Sequence, residues 1–471
     1  MTETQSNPGT GEATGPTAPA GAAAGRPAVP PGPPRRATFG LLTKLAGDRL
    51  ALMSTATRDY GDAVRMAIGP KTLYLFNHPD HAKHVLADNA DNYHKGIGLI
   101  QAKRAIGDGL LTSEGELWRK QRRTIQPAFQ AKRIAAQAGA VAQEAGLLVD
   151  RLRRHVDGEP FDLMHELTGL TLGVLGRTLL DSDLGAHESI GPSFEAVQDQ
   201  AMFEMVTLGA VPTWVPLPKQ LRFRKARSGL VEIVDQLIAE RVRRRDIDRD
   251  DVLARLIEST RQEPDPKVGA RRMRDEMTTL LLAGHETTAS TLGWAFHLLD
   301  EHPRVWERLH AEAVDVLGDR PPEFEDLHRL VYTSMVIEET MRLYPPVWIL
   351  TRLAQGPDSV GGYQVPAGAD VLICPYTLHR HPAFWEEPER FDPERFDPAK
   401  SGTRPRYAYI PFGAGPRFCV GNNLGMMEAA FTLAVVAREL RLAKVPGRAV
   451  KPEPMLSLRV RGGLHVTVRA V

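Results

Sequence analysis

The chain has 471 residues, a formal net charge of +1 and a hydrophobic content of 42%. This charge lacks the basic excess of a nucleic-acid-binding protein, and this hydrophobic content is ordinary for a globular protein with a large core. The two cysteines, Cys374 and Cys419, form no CxxC pair, so a disulfide scaffold and a zinc finger are excluded. Cys374 ends an apolar run at 371–374 and is predicted to fill the core.

Residues 1–37 are rich in proline, alanine and glycine, which predicts a disordered tail ahead of a single folded domain at 38–471. The tail lacks the charged start and apolar centre of a secretory signal. No run of 18 apolar residues occurs, so we expect no membrane span. These features favour a cytoplasmic protein.

The first elements of the domain are predicted as a strand pair followed by a helix. Alternating apolar residues at 63–68 and 72–76 indicate two strands that turn at Gly69-Pro70. His78-Pro79-Asp80 then predicts a helix start, with proline in the first turn.

The rest of the chain is mostly helical in pattern. Residues 114–310 show helical periodicity, interrupted by proline-bearing loops at 212–218 and 264–266. A small β region is predicted at 348–374, with a turn at 360–363. Alternation on either side of Gly462-Gly463 predicts a terminal hairpin within 455–468. The expected fold class is therefore mainly α with a minor β region.

The segment 411–421 places Cys419 in a glycine-rich loop, with Arg417 two residues before it. Glycines at 413, 415 and 421 permit positive φ and a close approach to a flat ligand. A thiolate that stays ionised away from water is best explained by a metal. The alternative is a structural cysteine beside a turn.

Residues 270–301 form a periodic stretch without proline, which predicts a helix nearly 50 Å long at about 1.5 Å per residue. Its middle reads Ala-Gly-His-Glu-Thr-Thr at 283–288. Burying Glu286 beside Thr287 is costly unless the pair has a role, and Thr287 is predicted to bond a carbonyl near 283 and bend the helix. The alternative is a surface glutamate beside a back-bonded threonine. His285 is predicted to pack within the helix core.

The spacing of Phe412, Gly415, Arg417, Cys419 and Gly421 resembles the haem-ligand signature of the cytochrome P450 family. The resemblance implies the triangular P450 fold over 38–471, with haem b as the cofactor. It further implies that Cys419 is the proximal iron ligand, that Arg417 pairs with a haem propionate, and that Phe412 packs beside the sulfur. Gly421 completes the cofactor loop.

Other segments resemble further motifs of this family. Trp118 and Arg122, one helical turn apart, and Arg352 match residues that bind the haem propionates. Glu339 and Arg342 match a helix motif whose partner is an arginine in a Pro-Glu-Arg-Phe sequence. That sequence occurs twice, at 388–391 and 393–396, and the spacing to the cysteine loop favours Arg395 in the second copy. This triad is expected to hold the haem-binding core together.

The helix segment at 283–288 resembles the oxygen-activating motif of the family. The resemblance implies a haem–thiolate monooxygenase in which Glu286 and Thr287 deliver protons and Ala283 leaves space above the haem. By position, Val347, Ile349 and Met455 are expected to contact the substrate. A peroxide-using or isomerising enzyme remains an alternative, as does a non-catalytic haem sensor.

The partners follow from what the sequence contains and lacks. No glycine-rich fingerprint for FAD or NAD is present, so electrons are expected from a ferredoxin and its reductase. Arg119, Lys120 and Arg123 either dock such an acidic donor or form a solvated face. The substrate is expected to be an apolar molecule of terpenoid, fatty acid or polyketide type, oxidised with O2 by a monomer. Residues 345–352 resemble some actinobacterial terpene oxidases.

Overall fold

The computed structural model describes residues 28–68, 71–184, 189–207, 211–212, 214–244, 251–400, 402 and 404–471. Helices dominate this part of the chain. The described α-helices are α1 (Thr38–Gly47), α2 (Arg49–Tyr60), α3 (Pro79–Lys83), α4 (Leu99–Ile106), α5 (Gly115–Ile125), α6 (Ala131–Ala136), α7 (Ala138–Arg153), α8 (Leu163–Leu175), α9 (Ile190–Val206), α10 (Pro218–Arg244), α11 (Val252–Arg261), α12 (Pro266–Glu301), α13 (Pro303–Leu317), α14 (Val331–Leu343), α15 (Pro375–Leu378) and α16 (Asn422–Glu439).

The strands form a few small sheets. Their bounds are β1 (Ala63–Ile68), β2 (Lys71–Phe76), β3 (Tyr93–Lys95), β4 (Phe161–Asp162), β5 (Leu350–Ala354), β6 (Asp358–Val360), β7 (Tyr363–Val365), β8 (Asp370–Ile373), β9 (Leu440–Lys444), β10 (Pro452–Pro454), β11 (Leu458–Val460) and β12 (His465–Ala470). The largest sheet has the order β1-β2-β8-β5-β3, in which the β2–β8 pair is parallel and the other pairs are antiparallel. The fold is thus mainly α with a minor β region, as predicted.

Helix α12 is the centre of the helical part. Asp265 caps its first turn by accepting a hydrogen bond from Lys267 N, and Pro266 occupies the first helical position. At about 1.5 Å per residue its 36 residues span roughly 54 Å. Every residue from 288 to 299 is buried, because α12 packs against α8, α10, α11, α14 and α16. This buried part of α12 gives rigid support to the side chains that the middle of the helix exposes.

Two of the predicted β features are observed, and part of one lies outside the described residues. Strands β1 and β2 pair antiparallel as predicted, while the turn at Gly69-Pro70 is not among the described residues. Strands β6 and β7 form the predicted hairpin around 360–363. Cys374 is fully buried, and its thiol donates to Trp348 O at 3.2 Å. It is a core residue, as its apolar neighbours indicate.

The predicted terminal hairpin is wrong. Strand β11 pairs with β10, whereas β12 pairs with β9 and β4 in a different sheet. Gly462 and Gly463 do turn the chain, with φ of 73° and 84°, but they direct β12 towards β4. There Leu464 N donates to Asp162 Oδ1 at 2.9 Å. Alternation predicts that each strand has one buried face and leaves its partner undetermined.

Residues 28–37, which composition placed with the disordered tail, are ordered. Gln364 N donates to Ala28 O at 3.0 Å, and Arg65 N donates to Pro31 O at 2.8 Å. Because this segment only accepts these bonds, its prolines are compatible with lying along the sheet. Residues 1–27 of the predicted tail are outside the described residues. Within the described ranges, no helix has the length and hydrophobicity needed to cross a membrane.

A buried ion-pair cluster joins α14 to the segment before the cysteine loop. Arg342 Nε and Nη2 donate to the Glu339 carboxylate at 2.6 and 2.8 Å, and both side chains are completely buried. The same guanidinium donates to the carbonyls of His379, Pro388 and Arg390. Arg395 lies 3.4 Å from Glu339 Oε1. The structure therefore brings together the three residues of the expected triad.

Replacing Arg342 tests the contribution of this cluster to stability. In Arg342→Met, the buried Glu339 carboxylate loses its main cationic partner, although Asp392 N still donates to it, and three carbonyls lose the Arg342 donor. We expect a loss of about 3–5 kcal/mol in the free energy of unfolding, measured by chemical denaturation. The control is Arg390→Met, since Arg390 is exposed and pairs with Glu387 on the surface. Its denaturation midpoint should stay unchanged, and an unchanged midpoint for Arg342→Met would contradict the assignment.

Candidate active site

A cavity of about 380 Å³ lies between the middle of α12 and the loop at 411–421. The segments at 346–352 and 455–457 form further parts of its wall. Ala283 and Cys419 are both accessible to solvent although they lie deep in the fold, because each faces this cavity. The two segments that the sequence singled out for chemistry therefore meet across one space.

Backbone geometry explains the glycines of the cysteine loop. Gly413 and Gly415 have φ of 72° and 67°, and a Cβ on Gly415 would lie 1.9 Å from Leu86 O. Gly421, which would also permit a positive φ, has φ of −89°. The loop closes when Cys419 N donates to Phe412 O at 3.0 Å. This bond holds the cysteine at the cavity wall.

The surroundings of the Cys419 sulfur suit a metal-bound thiolate. Burial raises the pKa of the free Cys419 thiol, so burial by itself favours the neutral thiol over the thiolate. Three groups act in the opposite direction: the N–H groups of Gly421 and Asn422, which point at the sulfur, and the nearby Arg122 guanidinium. Hydrogen bonds of this kind tune a metal–thiolate bond. A metal supplies the remaining stabilisation of the charged form.

Basic side chains gather at one end of the cavity. Lys95, Arg122, Arg352 and Arg417 all line it. Among the described residues, Glu114 is the one carboxylate whose charge acts on Lys95, Arg352 and Arg417. Its Oε1 accepts from Lys95 N at 2.5 Å, and its Oε2 binds Arg417. This end of the cavity has more positive charge than the protein itself neutralises.

The pKa values of these groups reflect their burial and the crowding of positive charge. Burial, together with Arg352 and Arg417, holds the pKa of Lys95 well below its usual value. Burial and Arg417 lower the pKa of Arg352 to about 10. Two carboxylates would relieve this repulsion through charge-assisted hydrogen bonds. The donor set at this end therefore fits the two propionates of a haem whose iron lies at Cys419.

Lys95 was missed at the level of the sequence. It ends the three-residue strand β3 and lies opposite Arg352 of β5 in the antiparallel register. Two cations directly opposite each other destabilise a strand pair unless an anion lies between them. The strand is too short for a clear alternation pattern, so its pairing with β5 is not predictable from the sequence.

The aromatic residues predicted for the cofactor also line the cavity. The Arg417 guanidinium lies 4.4 Å from the centre of the Trp118 ring, which orients both side chains. Arg122 Nη1 donates to Phe418 O at 2.7 Å and joins α5 to the cysteine loop. Phe412 is half-buried at the cavity wall. Each residue expected at the haem thus faces the same space.

Glu286 and Thr287 also face the cavity, from the middle of α12. The Glu286 carboxylate accepts from Ser457 Oγ at 2.8 Å and from Gln198 Nε2. Thr287 Oγ1 donates to Ala283 O at 2.7 Å, the bond expected from its spacing. Helix α12 continues as an α-helix through this bond. An acid and an alcohol are therefore adjacent and both accessible from the cavity.

His285 lies away from the cavity. Its ring is buried, its Nδ1 bonds Leu281 O at 2.6 Å, and its centre is 5.0 Å from that of Phe194. These contacts agree with its predicted role as a packed residue. On the substrate side, Val347, Ile349 and Met455 line the cavity as expected. Trp348 Nε1 donates to Met455 O at 2.9 Å and joins these two wall segments.

A sequence profile of the Cytochrome P450 family matches residues 30–466. The chain belongs to the cytochrome P450 family. Its fold class and its assignment as a P450 monooxygenase, predicted from the motifs, are confirmed. Members of this family bind haem through a cysteine thiolate, and the cavity of this P450 has the thiol and the cations that such a group needs.

Three similar proteins from Streptomyces agree with the assignment to this family. Cyclooctatin synthase of Streptomyces melanosporofaciens is 38% identical over 85% of this P450 and 87% of its own length. Cyclooctat-9-en-7-ol 5-monooxygenase of the same organism is 36% identical over 82% and 84%. Pentalenene oxygenase of Streptomyces avermitilis is 33% identical over 83% and 87%.

The basic residues of α5 that point away from the cavity are partly paired. Arg119 binds Glu116, and Lys120 binds Glu263 at 2.6 Å. Arg123 is exposed, and its Nε donates to Arg119 O at 3.3 Å. A docking surface for an electron donor on this face stays a prediction.

Haem retention tests the cationic end of the cavity. Arg352→Met removes a buried cation, and a charge-assisted hydrogen bond contributes about 1.5–3 kcal/mol. We therefore expect haem to transfer to an excess of an apo-acceptor protein at least about tenfold faster than from the wild type. The matched control is Arg119→Met, whose side chain faces solvent. Equal transfer rates for Arg352→Met and wild type would contradict the propionate assignment.

Proposed function

We propose that this P450 hydroxylates a C–H bond of a terpenoid-type small molecule, using haem b, O2 and electrons from a ferredoxin and its reductase. The observation that carries the proposal is the apolar cavity wall facing both Cys419 and the Glu286–Thr287 pair. Held by Cys419, the haem supplies dioxygen binding and O–O cleavage, which the thiolate favours by donating electron density. Haem b is proposed because the chain has no C-x-x-C-H attachment motif.

The wall residues support an apolar substrate. Leucine, methionine and isoleucine side chains from five segments line the space, including Leu175, Met202, Leu282, Ile349 and Met455. Such a surface holds a hydrocarbon by excluding water, and it leaves the few polar groups to orient it. The terpenoid class is supported by the relatives named for cyclooctat-9-en-7-ol and pentalenene.

The adjacent Glu286 carboxyl and Thr287 hydroxyl are the groups that transfer protons in this proposal. The Glu286 carboxylate is held by Ser457 and Gln198, and the Thr287 hydroxyl opens onto the cavity beside it. In the proposed role, a proton passes from Glu286 to Thr287 Oγ1, and Thr287 gives its own proton to the cavity. An intact pair favours this reaction over peroxide use or isomerisation. Electrons come from separate proteins, since the chain has no fingerprint for FAD or NAD.

Substitution of Thr287 tests the relay. We expect Thr287→Ala to keep haem and substrate binding, while product formed per NAD(P)H falls about tenfold or more because a proton-transfer group is lost. The electrons should appear as hydrogen peroxide, measured against NAD(P)H consumed. The control is Thr291→Ala, because Thr291 makes the same kind of bond to Thr287 O one turn later. Unchanged coupling in Thr287→Ala would overturn the relay.

A binding panel tests the substrate class. Cyclic terpenoids, fatty acids and polyketide lactones should be titrated into the haem-loaded enzyme while the haem absorption is followed. We expect the spin-state change to occur at lower concentrations of terpenoids than of the other two classes. The basic residues among the described lining residues are Lys95, Arg122, Arg352 and Arg417, which lie at the end assigned to the propionates. A response to fatty acids alone would contradict the proposal.

A further inference from the structure

The loop between α4 and α5, residues 107–113, forms part of the cavity wall, which Leu110 lines. Two carboxyl groups in the first half of α12 hold this α4–α5 loop. Asp275 Oδ2 accepts from Asp108 N at 2.9 Å, and Glu276 Oε2 accepts from Leu110 N at 3.0 Å. The loop is therefore attached to α12 through two of its backbone N–H groups, one of them at the cavity wall.

Two glycines of the α4–α5 loop allow this close contact. Gly107 has φ of 82°, and a Cβ at this position would meet the Asp275 carboxylate. A Cβ on Gly109 would lie 2.7 Å from Asp275 O. The backbone of the loop consequently lies directly on α12, where side-chain carboxyl groups can bind it.

Two of the three acids at this contact face cations. Asp108 Oδ2 forms an ion pair with Lys103 Nζ of α4 at 2.8 Å. Asp275 is half-buried, and the charges of Arg227 on α10 and Arg271 on α12 act on its carboxyl group. Both acids thus have positive charge nearby that favours the carboxylate form.

The third acid, Glu276, has different surroundings. Its side chain is 2% exposed, and its Oε1 has no hydrogen-bond partner in the described structure. Burial, followed by the charges of Asp275 and Asp108, raises the pKa of Glu276 to about 8. The Leu110 N–H and the nearby Gln121 side chain of α5 act in the opposite direction. Glu276 is accordingly the acid at this contact that keeps its proton at neutral pH.

From this geometry we infer that Glu276 is a latch that depends on its proton: as a neutral acid it holds the α4–α5 loop on α12, and when it ionises the loop is released. The released carboxylate reaches water, and its proton passes to solvent. Gln121 Nε2 donates to Asp108 O at 2.8 Å, and this amide does not titrate, so the loop stays attached to α5 while it leaves α12. The cavity then opens beside Leu110 and Leu111.

The direction of the pH dependence follows from the proton that opening releases. Glu276 has a pKa of about 8 in the closed loop and regains its ordinary value of 4.5 in water. Between these two values, each rise of one pH unit favours opening by about tenfold, because only the closed loop holds the proton. Outside this range both states carry the same number of protons, so the balance no longer changes with pH.

Hydrogen–deuterium exchange of the haem-loaded enzyme at pH 6 and pH 8 tests the latch without any turnover. After correction for the intrinsic exchange rate, protection of the wild-type α4–α5 loop should fall by at least about tenfold from pH 6 to pH 8. Amides at 288–299, in the buried part of α12, report the global stability in the same spectra. Equal protection of the loop at both pH values in the wild type would overturn the inference.

A substitution then assigns the effect to Glu276. Glu276→Gln keeps an oxygen that can accept from Leu110 N and cannot ionise, so its loop protection should be the same at pH 6 and pH 8. The matched control is Glu338→Gln on α14, where burial raises the pKa of the glutamate to about 7. This control should keep the wild-type pH dependence. A pH dependence in Glu276→Gln equal to that of the wild type would contradict the latch, and the wild-type comparison decides if Glu276→Gln fails to load haem.

Ligand binding tests whether the latch closes the cavity. In a spin-state titration with a cyclic terpenoid, the half-saturating concentration should rise from pH 6 to pH 8 for the wild type and stay constant for Glu276→Gln. A constant wild-type value would show that the loop does not control access to the cavity. This titration alone rests on the proposed function. If no terpenoid binds, that function fails, while the exchange measurement still decides whether Glu276 is the latch.

Discussion

The uncompensated positive charge inside the cavity is the constraint on which the rest of the site depends. Lys95, Arg352 and Arg417 come from three separate parts of the chain, yet they converge around one carboxylate, that of Glu114. Such a cluster is unfavourable in a protein that binds nothing there, because buried like charges repel each other. It becomes favourable once an anion with two carboxylates occupies the space. Haem binding and the folding of this region are therefore thermodynamically linked.

The same anion would orient the iron towards Cys419. Arg417 is two residues before the cysteine, and Arg122 donates to the carbonyl of the residue between them. The groups that hold the propionates are thus built into the loop that presents the sulfur. Across the cavity, the accessible residues of α12 between 279 and 299 are Ala283, Gly284, Glu286 and Thr287, and all four line the cavity. Helix α12 and the glycine-containing loop at 411–421 therefore form the two opposite walls of the cavity.

Much of this arrangement could be predicted from the sequence, because short motifs encode local geometry. Cys419, Glu286, Thr287 and Arg352 were selected by short motifs and their resemblance to the P450 family, and the structure places all four at one cavity. The features that were missed depend on tertiary packing. Lys95 matters because of its register with Arg352, which only strand pairing reveals. The prediction of a terminal hairpin was wrong for the same reason, because an alternating pattern does not determine which strand is the partner.

The absorption spectrum of the ferrous carbon monoxide complex tests the central claim most directly. The wild type should show the red-shifted band that is characteristic of thiolate ligation. Cys419→His should lose this band while it keeps its haem, because the cations at the other end of the cavity still bind the propionates. A wild-type complex without the red-shifted band, or a Cys419→His variant that retains it, would contradict the account.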